Sequence, residues 1–166
     1  MARDMLTTDE GPVVVSRRTL EALLAIRRGH LLPKIYPDRS IMIDQECGEQ
    51  VEDRPDFIEL KVAPEDVELP TRIGHGDPCD LACLRLALHV GASMVMLEDP
   101  IKERAKLSFI RAEGTVPFLV QAHRAGHLTA VEPMIKALRA LGHEDVLPPE
   151  DQLAALKEAL RHLGEG

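Results

Sequence analysis

Short apolar runs alternate with longer stretches of helical periodicity along most of the chain. Val13–Val15 predicts a buried strand, and the segment Thr19–Ile26 that follows has the leucine spacing of an amphipathic helix. Further strands are predicted at Ser40–Ile43, at Asp56–Val62, which alternates as a half-exposed strand would, and at Ser93–Leu97, directly after a helix that ends at Gly91. Because parallel strands need helical crossovers, this alternation predicts an α/β fold with a central parallel sheet covered on both faces.

Capping residues set the limits of two of the predicted helices. Asp77 is suited to be the N-cap of the helix that ends at Gly91, with Pro78 at its first position. Asp99 and Pro100 follow the strand at Ser93–Leu97 in the same order, and they predict a second helix that begins in the same way.

The C-terminal third is predicted to be helical. Thr129 and Glu132 have the spacing of a capping box, and Gly142 is suited to end that helix. Residues 148–163 predict a final helix with four leucines at regular helical spacing, namely Leu153, Leu156, Leu160 and Leu163. We favour docking of this stripe on its own domain, with a dimer or partner helix as the alternative.

The length of 166 residues predicts one domain over 1–166, with residues 1–11 as a flexible N-terminal segment. No run of residues is long and apolar enough to predict a membrane span or signal sequence, so we expect a cytoplasmic protein without a membrane partner. The cysteines are Cys47, Cys79 and Cys83, and the last two are too closely spaced on one helix to form a disulfide. We expect all three to be reduced and buried.

The formal net charge of −8 excludes a general nucleic-acid binder, which needs clustered lysine and arginine. The acids follow a pattern, because several come directly after predicted strands or begin the helices beside them. Carboxyl ends of parallel strands meet at one edge, where such acids would gather around a cation such as Mg²⁺ or Mn²⁺. A site of that kind hydrolyses phosphodiesters through metal-activated water. These acids are Asp44, Glu46, Glu49, Asp77, Asp80, Glu98 and Asp99.

Longer motifs resemble a compact prokaryotic branch of the PIN-like nuclease domains, in part linked to toxin–antitoxin pairs. The resemblance runs from about Val13 to Gly166 and rests on "LALHVGASMVMLEDPIKERA" and "GTVPFLVQAHRAGHLTAVEPMIKALRALGH". It implies a three-layer α/β/α sandwich whose acids bind Mg²⁺ or Mn²⁺ and cleave RNA. Carried over by position, the catalytic and metal-binding acids are Glu49, Asp80 and Asp99, and Thr115 lies near them.

The resemblance fails at the first acid of the motif. Ser16 stands where the family has a metal-binding Asp, and Arg17 and Arg18 replace small polar residues. A neutral hydroxyl removes one anionic ligand, and two guanidinium groups repel a dication while they attract phosphate. Glu98 or Asp44 is a candidate to compensate for the lost acid.

Two functions follow from the resemblance. One is a metal-dependent ribonuclease of toxin–antitoxin type with weakened activity. The other is an inactive pseudo-nuclease that binds RNA, an antitoxin-like protein or a second copy of itself, as a homodimer or larger assembly. For phosphate or RNA binding the candidates are Ser16, Arg17, Arg18, Lys102, Lys106 and Thr115, although the lysines equally fit a solvated helix face. A small-molecule enzyme is a third possibility, for which no cofactor motif is present.

Overall fold

The structure is a computed structural model that describes residues 10–162. The segment predicted to be flexible, 1–11, therefore lies almost wholly outside the described residues. Five strands form one sheet in which every neighbouring pair is parallel. The strands are β1 (Val13–Val15), β2 (Ile41–Asp44), β3 (Ile58–Lys61), β4 (Met94–Met96) and β5 (Ala112–Glu113). Their order across the sheet is β3-β2-β1-β4-β5.

Eight α-helices lie between and after these strands in the described part of the chain. They are α1 (Arg17–Ala25), α2 (Leu31–Ile35), α3 (Gln45–Gly48), α4 (Pro78–Val90), α5 (Ile101–Leu107), α6 (Thr115–Arg124), α7 (Glu132–Ala140) and α8 (Glu150–His162). The two longest have 13 residues each, whereas a bilayer span needs about 20. Accordingly, no described helix is both long and apolar enough to cross a membrane.

The side-chain alternation of β1 separates two hydrophobic cores. Val13 and Val15 lie in one core, with residues of α1, α2, α6, α7 and α8. Val14 points to the other face, where it packs with residues of α4 and α5. The sheet is therefore covered by helices on both faces, and the predicted α/β fold with three layers and a central parallel sheet is confirmed.

The leucine stripe of α8 is part of the first core. Leu153 and Leu160 are fully buried there, and Leu156 packs against the same cluster. Docking of this stripe on its own domain, the favoured prediction, is thus confirmed for these three leucines. The helix was predicted over 148–163 and is observed at Glu150–His162, while Leu163 lies outside the described residues.

The limits predicted for α4 are confirmed in detail. The Asp77 side chain accepts hydrogen bonds from the backbone N–H groups of Cys79 and Asp80, as an N-cap does. At the other end Gly91 adopts a left-handed conformation, which glycine tolerates best. These caps fix the direction in which α4 leaves the carboxyl edge of the sheet.

The cap predicted for α5 is wrong. Asp99 lies one residue too early, because α5 begins at Ile101 and its N-cap position has no side-chain hydrogen bond. The Asp99 carboxylate instead lies 3.8 Å from Lys102 Nζ, as an ion pair at the surface. Asp99 is therefore free of the structural role that the sequence suggested.

The predicted capping box is also wrong. The helix α7 begins at Glu132 itself, so Glu132 cannot reach back from the third helical position to Thr129. The N-cap is Val131, without a side-chain hydrogen bond, and Pro133 occupies the second position. Gly142 follows the helix with φ of 85°, as predicted for a helix end.

Candidate functional site

The sheet has its topological switch point between β1 and β4. From β1 the chain continues to β2 and β3 on one side, whereas β4 and β5 lie on the other side. Parallel α/β sheets bind ligands in the crevice beyond the carboxyl ends of such strands. The residues there are Ser16, directly after β1, and Glu98, two residues after β4. The backbone joins them, since Ser16 N donates to Met96 O at 2.9 Å.

Glu98 lies at the centre of a buried hydrogen-bond cluster. Its Oε2 accepts from Thr19 Oγ1 at 2.6 Å, from Thr115 Oγ1 at 2.6 Å and from Thr115 N at 2.9 Å. Thr115 is the first residue of α6, so the carboxylate also faces the positive end of that helix. Burial raises the pKa of Glu98, while the hydrogen bonds from Thr115 and Thr19 act in the opposite direction.

Ser16 extends this cluster to the first strand. Its Oγ accepts from Thr19 N at 3.2 Å, which makes Ser16 the N-cap of α1. The same hydroxyl lies 3.1 Å from Thr19 Oγ1, which in turn donates to Glu98. Because Ser16 is 1% exposed, it is an internal link between β1, α1 and β4, and its hydroxyl is closed to solvent.

Gly114 allows the close approach of Glu98 to the start of α6. A Cβ at this position would lie 2.9 Å from Glu98 Oε1 and 3.2 Å from the carbonyl oxygen of Leu97. It would also lie 3.4 Å from Lys102 Nζ. A larger residue would therefore displace the carboxylate or the lysine from the crevice.

A second cluster is formed by Arg18 at the mouth of the crevice. Its Nε donates to Asp145 Oδ2 at 3.1 Å, and its Nη1 lies 3.4 Å from both Asp80 Oδ2 and the Asp99 carbonyl oxygen. Burial alone would lower the pKa of Arg18, but the negative charges, first of all that of Asp80, outweigh it and raise the pKa. The guanidinium thus neutralises two acids from separate segments of the chain, Asp80 and Asp145, and binds the backbone of a third segment at Asp99.

Asp80 is a buried carboxylate with only part of its hydrogen-bonding capacity used. The residue is 1% exposed, and its Oδ1 has no hydrogen-bond partner among the described residues. Burial raises its pKa to about 6, although the charge of Arg18 acts in the opposite direction. An unsatisfied buried acceptor costs about 1–3 kcal/mol, so this oxygen is a place where a proton, a water molecule or a cation would be favourable.

The three predicted metal-binding acids lie in three different surroundings. Asp80 is buried against Arg18, and Asp99 is exposed and paired with Lys102. Glu49 is exposed on a separate depression that also contains Asp44 and Arg85. Within residues 10–162, no three histidine, cysteine or acidic side chains are grouped so that they could hold a metal ion. The residues as arranged therefore do not fit Mg²⁺ or Mn²⁺, and the metal site remains a prediction.

The predicted phosphate-binding residues are also divided. Ser16 and Thr115 are buried in the Glu98 cluster, and Arg18 is held by Asp80 and Asp145. Of the rest, Arg17 pairs with Glu21 at 3.1 Å and also donates to Gln50. Lys102 faces the crevice, whereas Lys106, one helical turn further along α5, is exposed and lines a separate depression with the exposed Phe109. These side chains do not form one basic surface.

The prediction that all three cysteines are reduced is wrong for two of them. Cys47 and Cys79 form a disulfide, with their Cα atoms 5.9 Å apart, and Cys83 is free and buried. Two helices, α3 and α4, begin side by side at the carboxyl edge, which brings Cys47 and Cys79 together across 32 residues of sequence. The absence of a bond between Cys79 and Cys83 is as predicted.

A cleft opens beside the Glu98 cluster, between α6 and the segment that leads into α8. Its volume is about 540 Å³, within the range of small-molecule sites. The floor carries Glu98, Glu113 and Lys102, while apolar side chains such as Val120 and Leu156 form the wall. Neither Glu113 nor this wall was predicted as part of a site, since no motif marks them, and only the strand β5 brings Glu113 to the edge.

A comparison of the chain with models of protein families, with curated proteins and with solved structures finds no match.

Proposed function

We propose that this chain is a binding domain with a nuclease-like fold that does not cleave phosphodiester bonds. The observation that carries the proposal is the Arg18 guanidinium, 3.4 Å from the buried Asp80 carboxylate. In a PIN-like site the acid at this position would face a divalent cation. A permanently charged guanidinium supplies the positive charge itself and repels a second cation from the same place.

The Glu98 cluster supports the same proposal. Glu98 is the acid best placed to compensate for the missing Asp at position 16, but its Oε2 already accepts three hydrogen bonds. Ser16 offers a neutral hydroxyl that is engaged with Thr19. Hard cations prefer anionic oxygens with available lone pairs, and neither residue provides a full ligand of this kind.

A metal-dependent ribonuclease is the second candidate, because one observation favours it. Asp80 Oδ1 is buried without a partner in the described chain, and a cation would satisfy it. In that function Asp80, Asp99 and Glu49 would bind Mg²⁺ or Mn²⁺, as the resemblance to the PIN-like nucleases implies. Asp99 and Glu49 would have to move toward Asp80 from their present surroundings.

Cleavage of single-stranded RNA with Mn²⁺ distinguishes the two functions. We expect no cleavage by the chain and no saturable Mn²⁺ binding in calorimetry. A Ser16→Asp, Arg18→Ser double variant should gain Mn²⁺ binding, because it restores an acid and removes the competing guanidinium. Ser40→Asp, an exposed change before β2 at the opposite edge of the sheet, is the matched control. Cleavage by the unmodified chain that is lost in Asp99→Asn would overturn the proposal.

The pairing of the basic side chains favours a protein or a small molecule, rather than RNA, as the partner of this binding domain. Arg17 and Arg18 are paired with Glu21, Asp80 and Asp145, which leaves them poorly placed for phosphate. Fluorescence anisotropy with single-stranded RNA at low salt tests this choice, since phosphate contacts are strongest there. We expect no binding. An antitoxin-like protein or a second copy of the chain, and a cytoplasmic location, belong to the same proposal.

A further inference from the structure

The cleft beside α6 has an amphipathic lining that the proposed binding role does not by itself explain. One wall is apolar, with Val116 and Val120 from α6 facing Leu147 and Leu156. The floor, at the ends of β4 and β5, is formed by charged side chains. A ligand that fills this space must carry an apolar body and a polar group at one end.

Charge decides which polar group the floor accepts. Four acids line the cleft, Glu98, Asp99, Glu113 and Asp145, of which Asp145 is paired with Arg18. Among the described residues that line the cleft, Lys102 is the lysine beside the other three, with Asp99 at 3.8 Å, and the charge of Lys106 also reaches Glu113 from outside the cleft. The second basic residue of the cleft, Arg124, is exposed and lies on α6. The floor therefore holds more negative than positive charge and favours a cationic group over an anionic one.

Glu98 directs one acceptor toward the cleft. The residue is 3% exposed, and all three of its hydrogen bonds are made by Oε2. Oε1 accepts no hydrogen bond from the described residues and lies at the cleft side, beside Gly114 and Lys102. A carboxylate oxygen that lines the cleft without a donor favours a ligand that brings one.

Glu113 lies on the same floor and is held in place from two sides. Tyr36 donates to its Oε1 at 3.2 Å, and the Gln121 side-chain amide lies 3.1 Å from both of its oxygens, with the amide nitrogen assigned to face them. These bonds keep the carboxylate in one orientation at the end of β5, where it is half-buried. Both donors are neutral, and Lys102 and Lys106 act on this carboxylate through their charge without an ion pair to it in the described structure, so it can still attract a cation.

We propose that this cleft binds an organic cation, a primary ammonium on an aliphatic body. The ammonium donates to Glu98 Oε1 and to Glu113, and the aliphatic body packs on Val116, Val120 and Leu156. An ammonium has three donors and no acceptor, which matches a floor of carboxylates. The inference rests on the proposed binding role, because it names the chemistry that the same edge of the sheet recognises.

Titration of the full chain with hexylammonium, followed by nuclear magnetic resonance, tests the inference. Hexanol and hexanoate serve as probes of equal length with a neutral and a negative end. We expect saturable binding of hexylammonium with shifts at α6 and α8, and binding at least about tenfold weaker for the other two probes. Equal binding of all three probes, or no saturable binding of hexylammonium up to its solubility, would overturn the inference.

Variants of the two glutamates on the cleft floor test whether hexylammonium binds there. Glu113→Gln should weaken hexylammonium binding about tenfold, because it removes the charge and keeps the size of the side chain. Glu98→Gln should do the same, and Glu113→Gln carries the test if the buried change at Glu98 prevents folding. Glu59→Gln, on the exposed edge strand β3, is the matched control and should bind like the unmodified chain. Undiminished binding in Glu113→Gln would overturn the inference.

The proposed function and the inference of ammonium binding are tested by different measurements. The titration contains neither RNA nor divalent metal, so it does not depend on cleavage. Metal-dependent RNA cleavage together with hexylammonium binding would overturn the proposed function and leave this inference intact. The absence of both cleavage and hexylammonium binding would overturn this inference and leave the proposed function standing.

Discussion

The hydroxyl and the backbone N–H of Thr115 both donate to Glu98 Oε2, at 2.6 Å and 2.9 Å. Through this pair the start of α6 is fixed to the end of β4, and Thr19 fixes α1 to the same oxygen. A carboxylate that is 3% exposed needs such donors, because its charge is otherwise poorly solvated. Together these bonds convert the predicted edge of an active site into an internal contact, in which the bond from Thr19 joins the two halves of the sheet.

Replacement of Thr115 by valine should therefore destabilise the fold. The variant keeps the shape of the side chain but removes a hydrogen bond to a buried carboxylate, at a cost of about 1–3 kcal/mol. Urea unfolding measures this loss. Thr71→Val, at an exposed position in the 3-10 helix Thr71–Ile73, should change the free energy of unfolding little. Equal stability of the Thr115→Val variant and the unmodified chain would contradict the role assigned to this bond.

The sequence predicts the layers of this fold well because they depend on hydrophobic periodicity. The strands at Val13–Val15 and Met94–Met96 and the helix from Asp77 to Gly91 all follow from local patterns of apolar residues and caps. The strand β5, at Ala112–Glu113, has two residues and leaves no such pattern. It forms because β4 offers its edge, which is a tertiary effect.

The candidate site is less predictable, because it depends on which side chains meet across the chain. Ser16 and Arg18 are marked by their position after β1, but nothing in the sequence shows that Arg18 reaches Asp80 and Asp145. The disulfide between Cys47 and Cys79 is of the same kind, since its partners are 32 residues apart. Contacts at long separation need the topology, and the strand order is what the sequence leaves open.

Reduction of the disulfide should destabilise the chain. The bond closes a loop of 32 residues, and loop-closure entropy gives about 3–4 kcal/mol for a loop of this size. Guanidinium unfolding with and without dithiothreitol measures the difference. In a Cys47→Ala, Cys79→Ala double variant the reductant should have no effect, because the remaining Cys83 is free and buried. A similar effect of the reductant in both proteins would contradict the assignment.

The buried leucines of α8 predict that this helix stabilises its own domain and does not form a dimer interface. Leu160 is 2% exposed in the first core, so Leu160→Ala should cost about 2–5 kcal/mol in thermal or chemical unfolding. Leu141→Ala, at a position that is 54% exposed, is the control and should cost far less. Light scattering should give the same mass for the chain and both variants. A change of mass in Leu160→Ala would favour the alternative of a dimer helix.

Asp80 predicts a specific dependence of stability on pH. Its pKa is about 6 in the folded chain against an ordinary value of 3.8, so the folded state holds the proton more tightly. The stabilisation from this proton is therefore complete below pH 3.8 and is lost as the pH rises toward 6. The difference of pKa corresponds to about 3 kcal/mol.

An Asp80→Asn variant isolates this contribution, because it cannot titrate and keeps the size of the side chain. We expect the free energy of unfolding of the unmodified chain to fall relative to that of the variant between about pH 4 and pH 6, since burial disfavours the charged carboxylate. Glu98 and Glu113 titrate in both proteins, so their effect cancels in the difference. Parallel pH profiles would mean that Arg18 compensates the Asp80 charge fully, and that the guanidinium alone satisfies this carboxylate.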